Sequence, residues 1–114
     1  MKTTVVNCRI AAYDVYIGRA GKGRDGYWGN PYVAQTRGRA ETKELFEAYF
    51  HKRLKQDLVF RERTVRLHGK RLGCFCKNLD GHGPWCHGDT IAEWVDAEAE
   101  RRRIATQESD RLAP

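Results

Sequence analysis

Long apolar runs are missing from this 114-residue sequence, and their absence excludes whole classes of protein. No stretch approaches the roughly 20 apolar residues that a membrane-spanning helix needs. The N-terminal Met-Lys-Thr-Thr also lacks the apolar segment of a signal peptide. We therefore expect a cytoplasmic protein with no membrane partner. In that compartment the four cysteines are expected to be metal ligands, catalytic thiols or core residues, not disulfides.

Internal repeats and interdomain linkers are missing as well. A chain of this length suits one domain with a modest core, so we expect a single domain at residues 1–100 and a charged, flexible tail at residues 101–114. The sequence contains neither a Walker A loop nor a dinucleotide fingerprint, so it gives no indication of a nucleotide cofactor. The formal net charge of +6 favours a polyanionic partner, either a nucleic acid or a phosphorylated small molecule.

Hydrophobic patterning predicts an α/β fold. Two β-branched and apolar segments, residues 3–10 and 13–17, are predicted strands, and residues 71–76 form a third. Residues 41–58 place their apolar side chains at helical spacing, and a second helix is predicted to begin near Asp89. The order of these elements predicts a small single-domain layer structure with a mixed sheet and two main helices.

A glycine-rich loop at residues 18–31 is the first candidate binding segment. Its five glycines disfavour any regular element. Glycines let backbone N–H groups approach an anion, bases neutralise that anion, and aromatic rings stack on a nucleobase. The predicted substrate-binding side chains of the loop are Arg19, Lys22, Arg24, Tyr27 and Trp28. The alternative is a long turn whose tryptophan packs into the core.

Thiols and imidazoles concentrate in the motifs Gly-Cys-Phe-Cys and Cys-His-Gly-Asp. On a strand Cys74 and Cys76 point the same way, because side chains alternate with a period of two. Zinc takes four such ligands, and Cys74, Cys76 and Cys86 with His87 or His82 supply that number; zinc is favoured over iron. Two alternatives remain: buried thiols that only pack, or a thiol enzyme in which a helix N-terminus favours the Cys86 thiolate.

Four short motifs together resemble a known family. Tyr-Ile-Gly-Arg, Trp-Gly-Asn-Pro, Gly-Cys-Phe-Cys and Cys-His-Gly-Asp occur in this order between residues 13 and 96. The combination resembles a small bacterial and phage family known only as domain of unknown function 4326. The resemblance implies no activity, so function has to be argued from the residues themselves.

Gly-Asn-Pro-Tyr at residues 29–32 is similar to the water-activating loop of the uracil-DNA glycosylase group. Proline restricts the preceding residue to an extended conformation, which fixes where the Asn30 amide points. The resemblance implies that Asn30 orients a water or reads the edge of a base. His87 is the nearest candidate proton donor, and Asp89 lies next to it in the sequence. Ordinary turn chemistry is the alternative for Asn30.

Together these features predict an enzyme acting on nucleic acid or nucleotides, with a DNA base N-glycosidic hydrolase in first place. Cleavage passes through an oxocarbenium-like sugar, so an oriented water, a donor to the departing base and nearby phosphate binding are sufficient. The predicted catalytic residues are Asn30, His87 and Asp89. The alternatives are a non-catalytic, metal-stapled module that binds nucleic acid by charge, and a thiol enzyme that uses Cys86.

Overall fold

The computed structural model describes residues 1–32, 38–75 and 85–113. Within them lie strands β1 (Thr4–Asn7), β2 (Val15–Tyr16) and β3 (Arg71–Cys74), and helices α1 (Arg39–Gln56), α2 (Leu58–Val65) and α3 (His87–Leu112). The predicted α/β class is confirmed. The short helix α2 adds to the two main helices that the sequence predicted.

The three strands form one sheet in the order β1-β3-β2. β1 runs parallel to β3 with Val5 opposite Leu72, and β2 runs parallel to β3 with Tyr16 opposite Gly73. Both strand pairings of this sheet are parallel, whereas the sequence predicted a mixed sheet. The reason is that β1 and β2 lie on either side of β3 and do not pair with each other. The carboxyl ends of the three strands consequently meet at one edge.

The core lies between the sheet and the helices. Phe46, Phe50 and Leu54 recur at every fourth position of α1 and are buried, as the helical pattern predicts. They belong to one cluster with Leu72 of β3 and Val95 of α3. Burying a side chain of this size contributes about 1.5–3 kcal/mol. The aromatic stripe of α1 therefore holds the helices to the sheet.

Gly88 lets the N-terminus of α3 lie directly on the sheet. A Cβ at this position would come within 2.7 Å of the Ile17 Cδ1 atom and 2.9 Å of a Val5 methyl group. Only a residue without a side chain fits such an approach unless its neighbours shift. This glycine therefore brings Cys86 and His87 down to the edge where the strands end.

α3 remains helical to Leu112, through residues for which the sequence predicted a flexible tail. Arg101 contacts Glu98 three residues earlier at 2.6 Å, and ion pairs at this spacing stabilise a helix. Arg102 reaches α2, where its guanidinium lies 2.9 Å from Glu62. None of the helices in the described part of the chain is long and apolar enough to cross a membrane.

Candidate functional site

A cavity of about 620 Å³ lies at the carboxyl edge of the sheet. Residues that follow each strand line it: Arg9 after β1, Gly18 after β2 and Phe75 after β3. Ligands of open parallel sheets bind at this edge. The first turns of α1 and α3 add Thr42 and His87. Two helix N-termini, which carry partial positive charge, therefore border the cavity.

Basic side chains give the cavity its charge. Arg9, Arg19, Lys22 and Arg24 line it, and no acidic side chain is among the lining residues that the structure describes. The Arg19 guanidinium is held in place because its Nη2 donates to the backbone oxygen of Tyr32 at 2.7 Å. The structure thus brings together the three bases that the sequence predicted in the loop, and it adds Arg9. A wall of one charge sign attracts phosphate groups.

Asn30 lines the same cavity and is only 8% exposed. Its Oδ1 accepts the backbone N–H of Tyr32 at 2.9 Å, which is the Asx-turn geometry expected of asparagine in a loop. The loop closes just before it, since Gly29 donates its N–H to the oxygen of Gly26. The Nδ2 amide is consequently the group through which Asn30 can donate to a ligand.

His87 reaches the cavity from the first turn of α3 and is buried. Its Nε2 lies 2.7 Å from the backbone oxygen of Ile17. A carbonyl oxygen only accepts, so the imidazole carries its proton on Nε2 and presents a lone pair at Nδ1. That Nδ1 lies 3.7 Å from the Sγ atom of Cys86. Burial lowers the pKa of His87, which keeps the ring neutral at neutral pH.

Cys74 and Cys86 meet beside His87, with their Sγ atoms 3.1 Å apart. Two sulfurs on one tetrahedral zinc ion lie about 3.7 Å apart, so these two are closer than a shared metal would hold them. Among the residues that the structure describes, no group of three or more cysteine, histidine or acidic side chains is arranged to hold a metal ion. Cys76 and His82 lie outside those residues. The metal site therefore stays a prediction.

Asp89 takes part in the N-cap of α3. Its Oδ2 accepts the backbone N–H of Cys86 at 2.9 Å, and the Cys86 Sγ accepts the N–H of Gly88 at 3.4 Å. The two residues form a capping box, with a thiol in place of the usual hydroxyl. Asp89 is not among the residues found to line the cavity. Of the predicted catalytic residues, the structure brings Asn30 and His87 together there.

Tyr27 and Trp28 pack against α2. The Trp28 indole Nε1 donates to the Thr64 hydroxyl at 3.0 Å. The Tyr27 ring lies 3.7 Å from the Arg63 guanidinium and packs against Phe60. Neither ring is among the described residues that line the cavity. These contacts fit the alternative in which the end of the loop packs onto the core.

Another pair of aromatic side chains, which the sequence motifs did not predict as binding residues, lines the cavity. The Tyr16 and Phe75 rings meet edge to face with centroids 6.2 Å apart. The Arg24 guanidinium lies 4.1 Å from the Tyr16 ring centroid, and the Arg9 guanidinium lies 5.0 Å from that of Phe75. We call these four side chains the arginine–aromatic row. Their position at the carboxyl ends of predicted strands could have indicated them, because Tyr16 ends β2 and Phe75 directly follows β3.

Comparison with known proteins adds the family. A family model described as "Domain of unknown function (DUF4326)" matches residues 2–97. The chain belongs to this family. The matched segment includes the sheet, the whole cavity lining and the first part of α3, and it confirms the resemblance that the four motifs indicated. No curated protein and no solved structure matches the chain.

Proposed function

We propose that the protein is an enzyme that acts on nucleic acid or nucleotides and hydrolyses the N-glycosidic bond between base and sugar. One observation carries this proposal: the buried Asn30 lines the same cavity as the basic side chains of the glycine-rich loop. An amide that can orient water or a base edge thus lies next to groups that can bind phosphate.

The charge of the cavity supports a substrate that carries phosphate. Four bases and two helix N-termini surround a space without acidic lining among the described residues. A neutral sugar would gain nothing from this field, whereas a nucleotide phosphate would be attracted to it. The substrate phosphate would in turn stabilise the positive charge that develops on the sugar as the base departs.

The reaction needs little more than these groups. The base leaves with the electron pair of the glycosidic bond, the sugar becomes oxocarbenium-like, and water adds at C1′. The proton that this water loses neutralises the departed base. In this proposal the Asn30 Nδ2 donates to an exocyclic oxygen of the departing base. His87 is a weaker candidate for that donation because its Nε2–H is engaged by the Ile17 carbonyl. In this proposal His87 holds the loop after β2 in position.

Base release by the wild type and by Asn30→Ala tests the proposal. Single-stranded and duplex oligonucleotides with uracil or other deaminated or methylated bases would be incubated with each protein, and released base would be measured by mass spectrometry. We expect Asn30→Ala to lower the rate at least about 100-fold, the usual contribution of a group that positions or transfers a proton. The lost hydrogen bond to Tyr32 should cost about 1 kcal/mol of stability, so the rates are compared at a temperature where both proteins are folded.

Asn7→Ala is the matched control for this experiment. The Asn7 Oδ1 also accepts a backbone N–H two residues later, that of Arg9 at 2.9 Å, but Asn7 is not among the described residues of the cavity wall. Its replacement should leave base release close to the wild-type rate. The proposal fails if no substrate loses a base, or if Asn30→Ala works as fast as the wild type.

A second candidate function is a non-catalytic module that binds nucleic acid and in which a zinc ion cross-links β3 to α3. The grouping of Cys74, Cys86 and His87 favours it, because the His87 Nδ1 lies 3.7 Å from the Cys86 Sγ. Zinc would have to move the two sulfurs from 3.1 Å to about 3.7 Å apart. Cys76 would complete the ligand set, with His82 as the alternative to His87. Zinc would then hold the end of β3 to the start of α3, without contacting substrate.

Metal content of the purified protein separates these candidates. The stapled module predicts about one zinc per chain in the wild type and in Cys8→Ser, and a loss of zinc with unfolding in Cys86→Ser. Cys8 is a suitable control because it follows β1 and is only partly buried. Base release retained by a folded Cys86→Ser variant would exclude the thiol enzyme. Absence of zinc from every preparation would count against the stapled module.

A further inference from the structure

The arginine–aromatic row crosses the carboxyl edge of the sheet. Arg9 follows β1, the Phe75 ring follows the central strand β3, and Tyr16 ends β2. β1 and β2 lie on opposite sides of β3. The row therefore extends from one side of the sheet to the other: the Arg9 guanidinium lies over Phe75, the Arg24 guanidinium lies over Tyr16, and the two ring centroids are 6.2 Å apart.

Phe75 presents an apolar ring to solvent at the mouth of a basic cavity, since 48% of the residue is exposed. A large exposed ring is a natural surface for a nucleobase, because every base has a face that stacks on an aromatic side chain. The edge-to-face contact with Tyr16 and the nearby Arg9 guanidinium hold this ring in place.

We propose that the arginine–aromatic row binds an unpaired strand of nucleic acid, with a base stacked on Phe75 and phosphates at Arg9 and Arg24. Bases inside a duplex stack on one another and do not offer a face to a protein ring. The inference rests on the proposed function, because it makes the cavity that the row lines the place where one nucleotide of that strand is held.

Binding of a fluorescent 12-nucleotide strand, followed by anisotropy without any turnover, tests this inference. DNA and RNA strands of the same sequence would be compared with the matching duplexes and with mononucleotides. Phe75→Ala should weaken binding of the single strand by roughly 5- to 150-fold, the range for losing one base–aromatic stack. Phe75→Trp should stay within about threefold of the wild type, because it keeps the stacking surface.

The arginines are tested by salt dependence. Arg9→Ala and Arg24→Ala should each reduce the slope of log affinity against log salt by about 0.7, the value for one phosphate contact on a single strand. Arg66→Ala is the matched control: Arg66 is exposed and is not among the described residues that line the cavity, so this variant should bind like the wild type. Equal affinity for strand and duplex, or full affinity in Phe75→Ala, would overturn the inference.

The outcome is separable from that of the proposed hydrolase. Strand binding that depends on Phe75, with no base released from any substrate, supports the row as a binding site and refutes only the hydrolase. Base release that depends on Asn30 but is equally fast in Phe75→Ala and on mononucleotides supports the hydrolase and refutes the row.

Discussion

Asp89 lies in the first turn of α3, where its side chain takes part in the N-cap. The sequence predicted it as a catalytic residue because it follows His87 closely. Its Oδ2 accepts the N–H of Cys86 at 2.9 Å. A carboxylate in the first turn also interacts favourably with the partial positive charge at the helix N-terminus. A residue engaged in this way stabilises the helix start that positions His87.

Replacing Asp89 distinguishes the two roles. Asp89→Ala should lower the free energy of unfolding by about 1 kcal/mol, as expected for a lost cap, and should leave base release per folded molecule within a few-fold of the wild type. Urea denaturation and the base-release assay measure the two quantities, with Glu93→Ala in the same helix as an exposed control. A 100-fold loss of rate at wild-type stability would restore Asp89 as a catalytic residue.

Trp28 and Phe75 show why the aromatic residue that lines a site is hard to predict from its sequence neighbours. Trp28 stands among glycines and bases, which is typical of a stacking site, yet its indole N–H bonds to Thr64 of α2. Phe75 stands between two cysteines and attracts no attention in the sequence. The exposure of Phe75 depends on where β3 ends relative to β1 and β2. The residues next to Phe75 in the sequence do not determine this.

Glu98 connects two helices at the scale of elements. It is buried in α3 and contacts Arg61 of α2 at 3.2 Å, while Arg101 and Arg102 bind it from its own helix. The hydrogen bond from Arg101, followed by the one from Arg102 and the neighbouring positive charges, lowers the pKa of Glu98 to about 2. The carboxylate therefore stabilises the fold wherever it is ionised.

The acid side of the stability curve tests this cluster. Because the pKa is about 2 in the folded state and 4.5 for an ordinary glutamate, the unfolded chain binds more protons between these values. The stabilisation is complete above about pH 5 and is lost as the pH falls towards 2. Glu98→Gln should lower the free energy of unfolding by about 1–2 kcal/mol at pH 7.

The same substitution should flatten the decline between pH 5 and pH 2, the range set by the pKa of about 2 for Glu98. Thermal unfolding at pH 7, 5 and 3 measures the effect, with Glu93→Gln as an exposed control on the same helix. An unchanged decline in Glu98→Gln would mean that this carboxylate does not join α2 to α3 energetically.

The helices could be predicted where a repeat of apolar residues along the sequence marks the buried face. The core face of α1 follows from the repeat of Phe46, Phe50 and Leu54, because side chains four apart share a face in any helix. The length of α3 was missed because its last part is held by charges. Arg102 pairs with Glu62 of α2, a contact between residues far apart in sequence.

The whole molecule is arranged around the carboxyl edge of its sheet. Placing β3 between β1 and β2 brings Arg9, Tyr16 and Phe75 into one row and the N-terminus of α3 against the strand ends. The close approach allowed by Gly88 completes the arrangement. Segments separated by most of the chain thereby form one basic cavity.

The sequence by itself determined the α/β class, the helix faces, the positive charge, the glycine-rich loop and the family, because each depends on composition, local periodicity or short motifs. Only the tertiary structure decided which of these features meet. It placed Asn30, Arg19 and His87 on one cavity, turned Trp28 to α2 and brought Phe75 to the mouth. The physical reason is that strand order and helix packing depend on contacts between residues far apart in the sequence. Burial of the whole hydrophobic core determines which of these contacts form.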